Sequence, residues 1–216
     1  MSVFFTADLH LGHGNIIKYC NRPFLKKEDK DALEENGGTW KDSRWRISRD
    51  AVDMMNDAIT DNINAVVGPT DTLWILGDFM FAQKDNTLHK AEFYRGRIKC
   101  KNVNLIWGNH DDYKIRPFFQ NTYDLYTASV NGRACVLCHY ALAVWNKSHH
   151  GAYNLYGHSH NTAEPWLNRV MKGRRSMDVG IDNAVKILGE YRPFSFEEID
   201  GILSKREGVV IDHHGE

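Results

Sequence analysis

The chain has 216 residues, of which 42% are hydrophobic and 25% are charged, and its formal net charge is −1. These values are ordinary for a soluble globular protein, and the near-neutral charge gives no global reason to expect nucleic acid or a membrane surface as a partner. No apolar run approaches the roughly 18 residues of a membrane-spanning helix. The start lacks a basic leader, so we expect a cytoplasmic protein. The length suits one core, and we expect a single domain over residues 1–216.

Four cysteines are present, and in a chain of this size without a secretion signal they do not resemble a disulfide framework. Cys135-Val-Leu-Cys138-His139 matches the attachment motif for c-type haem. Residues 134–137, however, are predicted to form a buried strand, in which residues three apart point to opposite faces. Buried cysteines are therefore the favoured interpretation.

Short apolar runs that end in Gly, Asp, Asn or His predict strands. They cover residues 3–7, 72–76, 103–107, 134–137, 153–156 and 177–179. Helices are predicted between them, at 48–67 with Ser48 as N-cap, at 88–95, at 114–119, and at 195–205 behind the capping box Ser195-Phe-Glu-Glu198. Strands that alternate with helices indicate an α/β or layered α–β fold.

Two segments do not follow this alternation. Residues 21–49 form a long connection in which Trp40 and Trp45 either stack on a nucleobase or hold the loop against the body of the protein. Residues 168–175 carry four cations and no acid. This basic run either meets a nucleotide backbone or forms a hairpin whose charges face solvent.

Seven residues that could hold a metal ion stand where a predicted strand runs out into a loop. They are Asp8, His10, Asp78, Asn109, His139, His158 and His160. Carboxylate and amide oxygens mixed with imidazole nitrogens suit first-row divalent ions. Asp8 and His10 lie two residues apart, so on an extended segment they would face the same side, and His158 and His160 repeat that spacing. The pattern predicts a hydrolytic site with two metal ions.

The blocks Asp-Leu-His, Leu-Gly-Asp, Gly-Asn-His-Asp, Cys-His-Tyr and Gly-His-Ser-His, in this order, resemble the calcineurin-like metallophosphoesterase superfamily. The opening block, followed by Cys20-Asn-Arg-Pro-Phe24, is similar to a compact group of bacterial and phage phosphoesterases. The resemblance implies a four-layer α/β sandwich of two mixed β-sheets flanked by helices. It also implies that Asp8, His10 and His160 hold a first metal, that Asn109, His139 and His158 hold a second, and that Asp78 bridges them. The catalytic His110 would contact the phosphate and protonate or stabilise the leaving oxygen.

One departure from the family pattern concerns Phe81. Protein phosphatases place an aspartate there, three residues after the bridging one, to orient the catalytic histidine. The change argues against a phosphoprotein phosphatase, and Asp111 or Asp112 could take over that role. As substrate-binding candidates, His13 and Asn15 follow the first block closely and either line the site or make hydrogen bonds within the loop. The fork of Arg22 could grip a phosphate oxygen or form an ion pair at the surface.

The resemblance thus implies a binuclear metal-dependent phosphoesterase. We expect hydrolysis of phosphodiester bonds in a nucleotide, a cyclic nucleotide or a short nucleic acid, by attack of a hydroxide that bridges two divalent ions. Manganese is our first choice of metal, with Fe, Zn, Ni or Mg as alternatives. We expect no membrane partner and no stable complex with nucleic acid. Two alternatives stay open: a phosphomonoesterase or pyrophosphatase with the same site, and an inactive scaffold or binding module of the same fold.

Overall fold

A computed structural model of the protein describes residues 1–41, 43–82, 84–209 and 211. Nine strands and seven α-helices lie in the described residues. The strands are β1 (Val3–Thr6), β2 (Thr72–Leu76), β3 (Asn102–Ile106), β4 (Asn121–Tyr123), β5 (Leu125–Val130), β6 (Arg133–Cys138), β7 (Tyr153–Tyr156), β8 (Ser176–Asp178) and β9 (Phe194–Ser195). The helices are α1 (Gly14–Tyr19), α2 (Lys27–Glu35), α3 (Arg49–Val66), α4 (Thr87–Arg97), α5 (Glu164–Val170), α6 (Ile181–Leu188) and α7 (Phe196–Leu203).

The strands form two mixed sheets. The first has the order β4-β3-β2-β1-β9, in which only β9 is antiparallel to its neighbour. The second has the order β5-β6-β7-β8, in which only β5 is antiparallel. An isolated parallel bridge between Ala7 and Gly180 joins the ends of β1 and β8. The carboxyl ends of the parallel strands of both sheets are thereby brought to one edge, where such folds carry their sites.

Alternation along each strand of the first sheet divides its side chains between two cores. Leu73 and Ile75 of β2 pack with α3 and α4 in one core, whereas Trp74 and Leu76 face the second sheet in the other. Successive strand residues point to opposite faces, so a continuous apolar run is buried on both sides. The prediction of two mixed sheets flanked by helices is confirmed.

Several local predictions are confirmed as well. The helix predicted at 48–67 is α3, and the Ser48 hydroxyl accepts a hydrogen bond from the Ala51 amide. Both halves of the capping box of Ser195 and Glu198 are formed at the start of α7. Residues 113–118 form a 3-10 helix that contains Pro117, rather than the expected α-helix. All four cysteines are free.

The long connection 21–49 is organised around the buried carboxylate of Asp29. It accepts hydrogen bonds from the Trp45 indole (2.9 Å), from the Ser48 amide and hydroxyl (2.8 and 2.7 Å), and from the Lys26 amide at the start of α2 (3.1 Å). These bonds tie Trp45 to the start of α2 within the segment. Lys18 of α1 attaches the segment to the protein, because its ammonium donates to the Trp45 carbonyl at 2.9 Å and lies 5.7 Å from the centre of the Trp40 ring. Of the two roles considered for these tryptophans, these contacts favour the one that holds the loop.

The basic run 168–175 does not form a uniformly exposed cationic strip. Arg174 is fully buried and paired with Glu164 at 2.6 Å, and Arg175 donates to the Arg206 carbonyl. Arg169 and Lys172 are exposed. Two of the four cations therefore serve the fold, which contradicts the use of the whole run as a phosphate-binding patch. Within the described residues, no helix has both the length and the apolar character needed to cross a bilayer.

Candidate metal centre

The backbone at the predicted ligands turns sharply at the strand ends. Asp8, His10, Asp78, His158 and His160 all have left-handed conformations, with φ between 46° and 68°. We expected the two residues of each Asp/His or His/His pair to share a face because the segment is extended. That reason is wrong, because these segments are not extended. The side chains converge because each loop reverses direction. Asp and His are among the few side chains other than Gly that tolerate this region.

The first group consists of Asp8, His10 and His160, whose potential ligand atoms all lie within 4.8 Å of one another. Nε2 of His10 is buried and has no hydrogen-bond partner among the described residues. Burial, reinforced by the neighbouring His160 and Arg22, lowers the pKa of His10 to about 2, so its ring is neutral. A buried neutral imidazole with an unused nitrogen fits a metal ligand.

The second group consists of Asp78, His139 and His158, again with ligand atoms within 4.8 Å. Nδ1 of His139 lies 2.8 Å from the Leu76 carbonyl, so it must carry the proton and donate it. Nε2 of the same ring is then an acceptor, and it faces the Asn109 side-chain oxygen at 3.1 Å. Two acceptors that face each other are satisfied by a shared cation, so this pair also fits a metal ion.

Asp78 lies between the two groups. Its Oδ2 is 3.5 Å from Nε2 of His10 and 3.6 Å from Nε2 of His139, while its Oδ1 accepts a hydrogen bond from the His110 amide at 2.9 Å. Gly77, just before it, has a φ of 92°, and a Cβ there would overlap the ring of His139. The glycine of the Leu-Gly-Asp block is thus required by the close approach of the second group.

Buried negative charge accumulates in the centre. Burial, together with the charges of Asp178 and Asp78, raises the pKa of Asp8 well above its usual range. Such crowding of carboxylates is unfavourable unless positive charge is supplied nearby. Divalent cations supply it, and the mixture of carboxylate, amide and imidazole donors suits first-row metals. The residues present therefore fit the expected metals.

The two groups open into a cavity of about 520 Å³. It is lined by His10, His13, Ile16, Tyr19, Cys20, Asp78, Asn109, His110, His158, Ser159, His160 and Thr162. Asp8 and His139 lie buried behind this surface, whereas Asn109, His110 and His158 are exposed on it. The buried members can thus anchor an ion while the exposed ones stay accessible to solvent and substrate.

The two histidines expected to act on the substrate both line the cavity. The His110 ring lies edge-on to the His10 ring at 5.3 Å, and the His13 ring stacks on Phe81 at 4.3 Å. Burial lowers the pKa of His13 to about 4. Phe81 thus supports a second histidine instead of supplying the carboxylate that protein phosphatases have at this position. Asn15 is exposed on α1 but does not line the cavity.

Asp111 and Asp112 do not take over the orienting role that the sequence suggested. The Asp111 carboxylate accepts hydrogen bonds from the backbone amides of Asp78, Phe79 and Gly108, all at 2.9–3.0 Å. Asp112 caps the following 3-10 helix by accepting from the Lys114 amide. Asp111 therefore ties the Gly-Asn-His-Asp loop to the Leu-Gly-Asp loop, and both carboxylates are engaged by backbone rather than by the His110 ring.

Arg22 does not face the cavity, which contradicts its expected role as a phosphate clamp. It is only 1% exposed, and its guanidinium donates to Asp182 and to the carbonyls of Asp8 and Leu9 at 2.8–3.0 Å. Its fork is therefore occupied within the protein. The sequence offered no signal for the pairing with Asp182, because the two residues lie 160 positions apart.

Asp178 and Asp182 are two further carboxylates at the centre that the sequence did not single out. Asp178 accepts from the Ser159 hydroxyl (2.8 Å) and the Asn161 amide (2.9 Å), which shapes the Gly-His-Ser-His loop. Asp182 forms a third group with Cys20 and His160. Burial and the adjacent Asp182 raise the pKa of Cys20 to about 12, so the thiol stays protonated and is a poor ligand.

Comparisons with known proteins identify the family of the chain. The chain is 24% identical over 211 residues to an uncharacterized protein of Methanocaldococcus jannaschii, covering 96% of this chain and 94% of that one. It is 29% identical over 110 residues to the gene 66 protein of Mycobacterium phage L5, covering 51% and 40% of the two chains. A protein of unknown function from Aquifex aeolicus has a similar fold, with a TM-score of 0.62, 21% identity, and coverage of 93% and 98%. The calcineurin-like phosphoesterase family matches residues 1–215, and the chain belongs to that family.

Proposed function

We propose that this phosphoester hydrolase is a binuclear phosphodiesterase. The observation that carries the proposal is the position of Asp78, whose Oδ2 lies about equally far from an imidazole nitrogen of each ligand group, at 3.5 and 3.6 Å. Asp8, His10 and His160 would hold one ion, and Asn109, His139 and His158 the other, with Asp78 shared. When bound, two divalent ions supply a nucleophile at neutral pH and balance charge on the phosphoryl oxygens.

Two histidines of the protein are placed to act on the leaving oxygen and on the substrate. The His110 amide is fixed to Asp78, and the exposed ring projects into the cavity beside His10. From there, the ring is placed to hold a proton for the leaving oxygen, as a general acid does. The ring of His13 stands 6.2 Å from that of His110 and is neutral because burial lowers its pKa. Its ring N–H can therefore donate a hydrogen bond to a phosphate oxygen of the substrate without adding charge.

The charge of the cavity favours a diester over a monoester. Among the described residues, its lining contains no lysine or arginine, and Arg22 is engaged elsewhere. A monoester carries about −1.5 to −2 charges at neutral pH, as a protein-bound phosphate does, and needs more cationic contacts than a diester with one charge. Ile16 and Tyr19 add apolar surface at the cavity wall. An organic group on either side of the phosphate is thus better accommodated than a second free anionic oxygen.

A substrate comparison tests this proposal. The purified protein, loaded with Mn²⁺, would be assayed with bis-p-nitrophenyl phosphate and with p-nitrophenyl phosphate, and bound metal would be measured by elemental analysis. We expect two ions per chain and a higher kcat/KM for the diester. Much faster hydrolysis of the monoester would contradict the proposed phosphodiesterase activity and indicate a phosphomonoesterase. Two bound ions without turnover of any phosphoester would support a scaffold, and Mg²⁺, Zn²⁺, Fe²⁺ and Ni²⁺ would be compared in the same assay.

A further inference from the structure

Arg22 lies beneath the first ligand group and makes four hydrogen bonds there. Nε and one terminal nitrogen, Nη2, bind both carboxylate oxygens of Asp182, at 2.9 and 2.8 Å. Nη2 also donates to the Asp8 carbonyl at 2.8 Å, and Nη1 donates to the Leu9 carbonyl at 3.0 Å. The Asp8 and Leu9 carbonyls belong to the two peptide groups that connect Asp8 to His10. A single guanidinium therefore holds both peptide planes between two ligands of the first group.

The carboxylate that Arg22 grips makes contact with the third ligand of the same group. Asp182 lies in the first turn of α6, and its Oδ2 is 2.7 Å from Nδ1 of His160. A carboxylate accepts but does not donate, so Nδ1 of His160 carries the proton and Nε2 keeps its lone pair. Outer contacts of this kind fix the tautomer and the orientation of a ligating histidine.

The geometry points to a positioning unit formed by Arg22 and Asp182 that sets Asp8, His10 and His160 for the first metal. None of the hydrogen bonds of this unit described above goes to Asn109, His139 or His158, the second metal's own ligands. The inference rests on the proposed binuclear function. The second group has contacts of its own, because His139 donates to the Leu76 carbonyl and the Asp78 amide donates to Asp111. It also meets the first group, where the His158 amide donates to the Asp8 carboxylate. Loss of the Arg22–Asp182 pair is therefore selective for one of two neighbouring ions.

The shape of the guanidinium explains why an arginine stands here. Its planar fork presents donors in several directions within one plane, and the four bonds use three of its nitrogens at once. A lysine ammonium keeps the charge beside Asp182 but cannot span both carbonyls and both carboxylate oxygens. Arg22→Lys is thus expected to behave between wild type and Arg22→Gln, whereas a requirement for charge alone would make it equal to wild type.

Metal binding by the full chain tests this inference without relying on turnover. Wild type, Arg22→Gln, Arg22→Lys and Asp182→Asn would be titrated with Mn²⁺ by calorimetry, and the spin coupling of the bound Mn²⁺ pair followed by electron paramagnetic resonance. We expect Arg22→Gln and Asp182→Asn to bind one of the two ions about 10- to 100-fold more weakly, the range found when outer-shell partners of metal ligands are removed. The other ion keeps its affinity, and the coupled-pair signal gives way to that of an isolated ion.

Arg192→Gln is the matched control, because Arg192 makes a similar two-pronged pair with Glu198 (2.7 and 3.0 Å) away from the cavity. It is expected to bind both ions as wild type does. Unchanged binding of both ions by Arg22→Gln and Asp182→Asn would overturn the inference, as would equal weakening of both ions, which indicates general loss of structure. If Arg22→Gln does not fold, the isosteric Asp182→Asn decides alone.

The outcome separates this inference from the proposed function. Selective loss of one ion in a protein that hydrolyses no phosphoester would support the positioning unit and contradict the diesterase. A wild-type chain that binds fewer than two ions would overturn the binuclear proposal and, with it, the inference drawn here about the first metal.

Discussion

Arg174 offers a quantitative test of how the loop that carries His158 and His160 is supported. The guanidinium is fully buried and donates to Glu164 (2.6 Å), to the Tyr156 hydroxyl (2.7 Å) and to the Ser176 hydroxyl (3.1 Å). Burial and the adjacent carboxylate of Glu164 raise the pKa of Tyr156 well above its usual range, so Tyr156 stays a neutral donor. Arg174 is therefore the cation that balances the Glu164 carboxylate.

Arg174→Met keeps much of the side-chain volume but leaves that carboxylate buried without its partner. Breaking a buried pair in this way costs about 3–5 kcal/mol, because the remaining charge is no longer compensated. Glu164 also accepts the Asp178 amide, and Asp178 in turn binds Ser159 and Asn161 beside the ligands. We therefore expect the free energy of unfolding to fall by about that amount and metal binding to weaken as well.

Urea denaturation in the presence of a chelator would measure this change without the contribution of bound metal. Arg169→Met is the matched control from the same basic run, because Arg169 is exposed, and it should change stability by no more than about 0.5 kcal/mol. Adding Glu164→Gln to Arg174→Met removes the stranded charge and should restore part of the loss. Equal free energies of unfolding for Arg174→Met and Arg169→Met would refute the reasoning. If the double variant is no more stable than Arg174→Met alone, the loss comes from packing rather than from the uncompensated charge.

Two further predictions concern catalysis and acid stability. His110→Ala should keep both ions, because the bond that anchors residue 110 to Asp78 comes from its backbone amide. It should lower kcat on the order of 10²-fold or more. Loss of metal or an unchanged kcat would contradict the proposed general acid. Burial alone would raise the pKa of Asp29, but hydrogen bonds from Trp45 and Ser48 outweigh it and lower the pKa below its ordinary value. A carboxyl whose pKa is lower in the folded than in the unfolded state stabilises the fold at any pH above its unfolded-state pKa of about 3.9. This contribution is lost as the pH falls through the folded-state pKa. Stability measured between about pH 5 and about pH 2 should thus fall less steeply in Asp29→Asn, and an unchanged slope would argue against this role.

Six of the nine described strands and the ligand blocks could be predicted because their signals are local, whereas β4, β5 and β9 were not predicted. An apolar run followed at once by Asp, Asn or His marks a strand end, and parallel strands bring such ends to one edge. Helices α1, α2, α5 and α6 were not predicted. α1 has only six residues, α2 lies in a segment of mixed charge, and α6 follows directly on a strand end. Short helices of this kind depend on tertiary packing more than on their own sequence pattern.

The supporting residues of the site could not be predicted, and the reason is the distance along the chain. The two residues of each supporting pair lie 33 to 160 positions apart in the sequence. The pairs are Arg22 with Asp182, Asp78 with Asp111, and His139 with Leu76. Nothing in a single sequence marks such pairs, since an arginine or aspartate in a loop is as often solvated as paired. The misassignment of Arg22 shows the consequence, because its residue type suited a phosphate as well as it suits Asp182.

The conformations of the ligand loops show why so many supporting contacts are present. A non-glycine residue in the left-handed region costs on the order of 1–3 kcal/mol unless its surroundings determine it, and five of the seven proposed ligand residues adopt that region. Each strained loop is tied to another one: Asp8 donates its amide to the Gly77 carbonyl, His10 donates to the Asp78 carbonyl, and His158 donates to the Asp8 carboxylate. No loop is held by its own sequence alone, so the strain is shared by hydrogen bonds between loops that come from distant parts of the chain. Ligands fixed in this way lose little conformational entropy when they bind a cation, which favours tight binding of metals with a defined geometry.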